Sequence, residues 1–206
     1  MFYYYQTKDT FCSFELKLDG EILRCIGNKL RAEFLMYLYR TPMEVRTKKE
    51  MLFTIIQNVS LDKLLETMVR NIDTIWFDGL LTKMKVLEDV QVKFGELKGA
   101  VAGQTTVAHN NVYIVLNLKC FRHWFQAYQD SNARSFGHCQ TFHCMVFNTL
   151  AHELVHLLCI RLSPEVDGQR LVDIGGAHSK IFMGVLANCF KDYSQYHTHN
   201  VLHFSK

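Results

Sequence analysis

Proline is nearly missing from this chain: its 206 residues contain 2, Pro42 and Pro164. No low-complexity tract breaks it either, which argues against a disordered or linker protein. Charge of either sign is in short supply, with 23 Lys and Arg against 20 Asp and Glu and a formal net charge of +3. That excess is far thinner than a dedicated DNA-binding tail would need, so it permits nucleic-acid contact without demanding it. The two long spans free of Asp, Glu, Lys and Arg, residues 99–118 and 135–152, are broken by Gly, Asn, Gln, Thr and His, so no membrane-spanning helix is expected. The opening MFYYYQTKDTF lacks a basic start followed by an apolar core, so no secretory signal is expected. The 7 cysteines (Cys12, Cys25, Cys120, Cys139, Cys144, Cys159 and Cys189) are odd in number and include no Cys-x-x-Cys pair. Together these absences predict a soluble intracellular protein with free thiols, without resolving nucleus from cytoplasm.

What is present is apolar. Hydrophobic residues make up 49% of the chain, enough for one globular domain, alone or with a small appendage. The stretch FELKLDGEILRCI, Phe14 to Ile26, centres on Asp19-Gly20, which predicts a hairpin with a two-residue turn. Closure there puts Phe14, Leu16 and Leu18 on one face with Leu23 and Cys25, and Glu15 beside Arg24 on the other. Leu30, Phe34 and Leu38 recur every four residues, so Lys29 to Tyr39 is expected to be helical, ending at Pro42. Ser60 is a good N-cap for a helix that runs to about Trp76 and stops near Gly79, with Asp62 in its first turn. Three strand-like pieces follow, Lys85 to Phe94, Gly99 to Val107 and Asn111 to Leu118. Short Gly or Asn-Asn links join them, and an antiparallel meander is expected. Helices are expected over Phe142 to Ile160 and from about Ala177 to Tyr193, the second with Ile181, Val185, Leu186 and Phe190 inward. This order predicts an α+β fold with a small antiparallel sheet packed on helices. Residues 1–58 are expected to form an N-terminal appendage, 59–195 the main domain and 196–206 a C-terminal tail.

The sequence LAHELVHLL, from Leu150 to Leu158, carries His-Glu-x-x-His inside an apolar run. On a helix His152 and His156 share a face, with Cβ atoms roughly 5–6 Å apart, so both imidazoles can reach one zinc ion. Glu153 stands about 100° further round. That is too far for a ligand, but it suits a general base acting on water held at the metal. A third protein ligand is still needed. His178 is the leading candidate, because Gly175-Gly176 would let the chain turn back, and Glu165, Asp167 and Asp173 are rivals. A glycine three places and a histidine six places past the motif would mark another arrangement, and those positions hold Cys159 and Leu162. The plain alternative is a core helix with hydrogen-bonded histidines, where such polar groups would be costly unless paired.

From about Leu61 to Phe190 the chain resembles the SprT-like zinc metalloprotease family. NIDTIWFDGLL resembles the family's aromatic helix end and its Phe-x-Gly-x-Leu corner, with Phe77, Gly79 and Leu80. AGQTT at Ala102 to Thr106 resembles its glycine strand, followed by Ile114 and Leu116 of the next strand. LAHELVHLL and GGAHSKIF resemble the active-site helix and the third-ligand motif. The resemblance implies a zincin-like core, Zn2+ on His152, His156 and His178, a catalytic Glu153, and Phe182 packing the third-ligand helix. It implies a monomeric endopeptidase in which Glu153 activates a zinc-bound water, acting on protein substrates held on or crosslinked to DNA. Single-stranded or junction DNA is then an expected partner, and a membrane is not. Ser179 stands where the family usually has glycine, and no four-cysteine ribbon follows the domain.

Other residues admit two readings. GHCQTFHC, Gly137 to Cys144, could be a second zinc site, although its spacing fits no usual finger and a structural role is expected. His197, His199 and His203 are expected to lie in a polar tail. Trp124, Phe125 and Tyr128 with Arg122, His123 and Arg134 could clamp single-stranded DNA or could be rings packed inward from a helix. Glu165, Asp167 and Asp173 read as a solvated acidic loop. Besides the endopeptidase, two functions stay open: a nucleic-acid-binding module with a structural or inactive zinc site, and a zinc hydrolase of small amides.

Overall fold

The computed structural model describes residues 10–43, 51–52, 54–56, 59–109, 111–131 and 142–190. Strands β1 (Phe11–Leu18) and β2 (Glu21–Asn28) close on Asp19-Gly20 in the expected register, with Leu16 opposite Leu23 and Glu15 opposite Arg24. Asp19 and Gly20 have φ of 50° and 93°, the left-handed values that a two-residue turn between twisted strands requires. Helix α1 (Lys29–Arg40) follows at once, capped by Asn28, whose side chain accepts from the Arg31 N–H at 3.0 Å. Helix α2 (Leu61–Phe77) starts after Ser60 and ends at Asp78 in the left-handed conformation. The short α3 (Leu80–Lys83) is fixed by the buried Asp73 carboxylate, which accepts from the Leu81 and Thr82 N–H groups at 2.9 and 3.1 Å.

Strands β3 (Val90–Gly95), β4 (Gly103–Ala108) and β5 (Asn111–Asn117) make a three-stranded sheet in the order β3-β5-β4. β4 and β5 form an antiparallel hairpin, but β3 runs parallel to β5. The expected antiparallel meander is thus corrected to a mixed sheet. Burial explains the order: Val112, Ile114 and Leu116 of β5 are at most 1% exposed, and that strand takes the centre. The polar GQTTVA of β4 suits an edge. The β3–β4 connection is tied down by the Asn117 side-chain amide, which donates to the Val101 carbonyl at 3.0 Å. β3 begins at Val90 rather than Lys85, because Lys85 and Asp89 have φ of 58° and 56° and break the extended run.

Helix α4 (Leu118–Ser131) leads away from β5, and α5 (Phe142–Leu162) forms the centre of the molecule. α5 is apolar on nearly every side and buries Phe147, Leu150, Ala151, Val155 and Leu157 completely. By length and composition alone it could cross a membrane, but most of it is enclosed by the rest of the fold. After it come a tiny hairpin of β6 (Glu165–Val166) and β7 (Gln169–Arg170), a 3-10 turn (Leu171–Asp173) and α6 (Lys180–Cys189). β6 pairs with β2 at Glu165 and Ile26, which makes a second sheet in the order β1-β2-β6-β7. The stretch expected as an acidic loop therefore contains a strand pair turning on Asp167-Gly168. α6 starts at Lys180 rather than Ala177 because Ser179 caps it, and Tyr193 lies outside the described residues.

The chain is thus mixed α and β, with small antiparallel and mixed sheets packed on helices. Trp76, Phe147 and Phe190 bring α2, α5 and the end of α6 together, with ring centroids 5.5–6.2 Å apart. α1 packs on both α5 and α6, and its Phe34, Leu35 and Leu38 belong to the same apolar cluster. Asn188 of α6 donates to the Leu38 and Tyr39 carbonyls at 3.2 and 2.5 Å. The helices touch most closely at Gly184, where an added Cβ would lie 2.4 Å from carbons of the Tyr39 ring. Gly184→Ala should therefore destabilise the protein by about 1–3 kcal/mol, although alanine is worth about 1 kcal/mol more than glycine in an unconstrained helix. Urea unfolding checks this, and in a Tyr39→Ala background the same change should become neutral or stabilising.

Candidate metal centre

Thr149, His152, Glu153 and His156 recur at three- and four-residue spacing, so they form one polar stripe on an otherwise apolar helix. β4 lies over this stripe. The approach requires glycine at 103, because a Cβ there would sit 2.6 Å from Thr149 Cγ2 and 2.9 Å from Glu153 Cγ. It brings the Thr105 hydroxyl to 2.7 Å from Glu153 Oε2 and 3.1 Å from the Glu153 carbonyl. One hydroxyl has one proton. Thr105 donates to the carboxylate when Glu153 is ionised.

The other flank comes from the segment before α6. Gly175 and Gly176 have φ of 99° and 95°, a reversal that L side chains resist, and they turn the chain back toward α5. Ser179 is buried, and its hydroxyl accepts from the Phe182 N–H at 3.4 Å, so this serine serves as the helix cap. His178, one residue earlier, then faces the stripe. His152 Nε2 lies 3.2 Å from His156 Nε2 and 3.1 Å from His178 Nε2. For metal–nitrogen bonds of about 2.0–2.1 Å, a tetrahedral edge is about 3.3 Å. A neutral imidazole has one N–H, so these three converging nitrogens cannot all satisfy one another. A cation at their meeting point would satisfy all three, and the three lie close enough to hold one metal ion. Phe182, 1% exposed, stacks on His156 at 4.3 Å and lies 5.0 and 4.8 Å from the His152 and His178 rings, so it buttresses the whole set.

The three nitrogens and Glu153 open into a cavity of about 370 Å³, which Gly103, Thr105, Ile160 and Arg170 also line. Burial pushes Glu153 up to about 7, against the lowering effect of its Thr105 hydrogen bonds. Burial, then the charge of His178, pushes His156 down to about 4, and burial lowers His178 too. Neutral imidazoles are the form that binds metal.

Of the rival ligands, Asp173 lines the cavity but is bonded to Arg170 at 2.7 Å, and Glu165 and Asp167 are exposed on the β6–β7 hairpin. None joins the convergent set among the described residues. In the GHCQTFHC stretch, residues 137–141 lie outside the described residues, and His143 packs edge-on against Phe142. His197, His199, His203 and Arg134 lie outside as well, as do the side chains of Phe125 and Tyr128. Trp124 packs edge-on against the buried Phe121, while Arg122 and His123 are exposed. Sequence reasoning assigned no role to Gly103, Thr105 or Arg170. Only the AGQTT stretch carried any signal for the first two. Searches against protein-family models, curated proteins and solved structures return no match.

Linkage follows from the opposed shifts. Glu153's contribution to stability falls as pH rises from about 4.5 to about 7, because ionising it in the fold is unfavourable. His156's contribution falls as pH drops from about 6.5 to about 4, because charging it there is unfavourable. Near pH 5.5 folding without metal thus moves a proton from imidazole to carboxylate with little net uptake. A divalent ion on the histidines then favours the ionised carboxylate. Metal uptake at pH 6.5 should therefore release about one proton per site. Calorimetry in buffers of different ionisation enthalpy measures it, and Glu153→Gln should remove most of the release. A variant that releases as many protons as the parent would contradict the assignment.

Proposed function

We propose that this protein is a zinc-dependent endopeptidase of the SprT-like type that hydrolyses peptide bonds in proteins held on or crosslinked to DNA. The observation that carries the reading is a buried carboxylate beside three convergent imidazole nitrogens at one open cavity. A purely structural metal site has no use for that carboxylate. Three imidazoles with no fourth protein donor among the described residues suit a catalytic zinc site, which keeps one position open. Bound there, zinc would polarise the scissile carbonyl and make water ionise near neutral pH.

The chain's own groups supply the rest. His152, His156 and His178 hold the ion through Nε2, and Phe182 fixes the three rings. Thr105 engages Oε2 of Glu153, so Oε1 is the atom that takes a proton from the attacking water and returns it to the leaving amine. Without metal that carboxyl is raised to about 7, and a cation on the histidines would ionise it, the form that can accept a proton. β4 pairs with β5 alone among the described residues, so its outer edge is open, and Gly103, Gln104 and Thr105 line the cavity. An extended peptide can add its backbone to that edge. A strand edge beside the cavity favours a peptide chain over a small amide. The DNA-linked substrate class comes from the family resemblance. Lys119 and Arg122, lining a separate cavity of about 430 Å³ with Phe94, are where single-stranded DNA would meet this chain.

The test is proteolysis by zinc-loaded protein on an unfolded protein substrate, with and without single-stranded DNA. Glu153→Gln should keep its zinc and lose at least about a hundredfold in rate. His178→Ala should lose tight metal binding. Cleavage by Glu153→Gln at the parent rate would overturn the reading.

A further inference from the structure

One wall of the metal-site cavity is charged. Arg170 and Asp173 line it together with Cys159, Ile160 and Val172, about one helical turn along α5 beyond His156. The Arg170 Nε donates to Asp173 Oδ2 at 2.7 Å, and both side chains are about two-fifths exposed, so solvent and ligands reach them. This bond uses one of five guanidinium N–H donors. The backbone beneath is anchored on both sides: the Leu171 N–H donates to the Pro164 carbonyl at 2.9 Å, and the Val172 N–H donates to the Ser163 hydroxyl at 3.1 Å. Leu171 and Val172 are themselves buried. Arg170 is therefore a guanidinium set in place before any ligand arrives, on one wall of the cavity that the three histidines and Glu153 also line.

We propose that Arg170 is a specificity-determining residue that binds a carboxylate of the substrate next to the scissile bond, with Asp173 positioning it. This rests on the endopeptidase reading of the same cavity. Charge decides the sign of the ligand. A divalent ion, an ionised Glu153, and the Arg170–Asp173 pair sum to one positive charge, which favours an anion over a cation. Glu165 faces Arg170 across the β6–β7 register but makes no ion pair with it among the described residues. The carboxylate could belong to an acidic side chain inside the chain or to the chain's own C-terminus, since a guanidinium fork binds either in the same bidentate way.

Two arms separate these sources, using zinc-loaded full-length protein. One compares peptides with internal Glu or Gln beside the cleaved bond, both amidated. The other compares free-acid and amidated ends of one Gln peptide. The carboxylate member of one pair should have kcat/KM higher by roughly 10- to 100-fold. In Arg170→Gln that ratio should fall toward one, and in Arg170→Lys it should be partly restored. Binding of the same peptides to zinc-loaded Glu153→Gln protein, read by fluorescence anisotropy, should show the same preference and the same loss. If no peptide or protein is cleaved at all, the endopeptidase reading fails, and the anisotropy ratio alone decides the role of Arg170. No carboxylate preference in either arm overturns the proposal. So does a preference that survives Arg170→Gln, because the metal would then be taking the anion directly, and so does an equal loss on both members of a pair, because Arg170 would then be structural.

Discussion

The cost of putting polar groups inside an apolar core governs this structure. α5 is the central helix, and its stripe of Thr149, His152, Glu153 and His156 would be destabilising if left unpaired, by about 1–3 kcal/mol for each group. The neighbouring elements are arranged around that stripe. β4 comes in with a glycine at 103 so that Thr105 can reach Glu153. The Gly175-Gly176 reversal delivers His178 and then Phe182, whose ring lies against all three imidazoles. None of these contacts follows from apolar packing alone, which would have favoured a leucine at every one of the helix positions.

That arrangement leaves the third histidine with a problem of distance. His178 is 22 residues beyond His156, on a segment with little secondary structure of its own before Ser179. Residues 11–40 supply the missing support. β2 pairs with β6, which holds the near end of the segment, and α1 packs along α6, which holds the far end. Asp19, in the first hairpin turn, pairs with Lys180, two residues past the histidine. The contact of Gly184 with Tyr39 sets how closely the two helices lie. The hairpin and α1 thus brace both ends of the segment that carries the third imidazole.

Local chemistry was legible and long-range order was not. Asp19-Gly20 specified its hairpin down to the register, because a two-residue turn leaves one pairing. The helix ends near Pro42 and Gly79 follow from breakers that act within a few residues, whereas Ser60 precedes α2 without a side-chain cap bond and the cap at Asn28 was not read from the sequence. The three histidines were legible because helical spacing makes two of them neighbours and two glycines announce a reversal before the third. The strand order β3-β5-β4 was not legible, since alternation identifies a strand without saying which strand lies beside it. Thr105 is 48 residues from Glu153, and no periodicity links them. The β6–β7 hairpin hid behind its charge: Asp167-Gly168 is the same turn signal as Asp19-Gly20, but strands of two residues carry no alternation to confirm it.

Burial acts with opposite sign on the two kinds of group in the stripe, and that asymmetry ties stability to chemistry. A low-dielectric surrounding disfavours charge. It therefore keeps imidazoles neutral, the form that binds metal, and keeps a carboxyl group protonated well above its ordinary range. One environment sets both protonation states. Thr105 is the exception that sets the balance. Its hydrogen bonds oppose the upward shift of Glu153, so the group rests near 7 instead of staying protonated throughout.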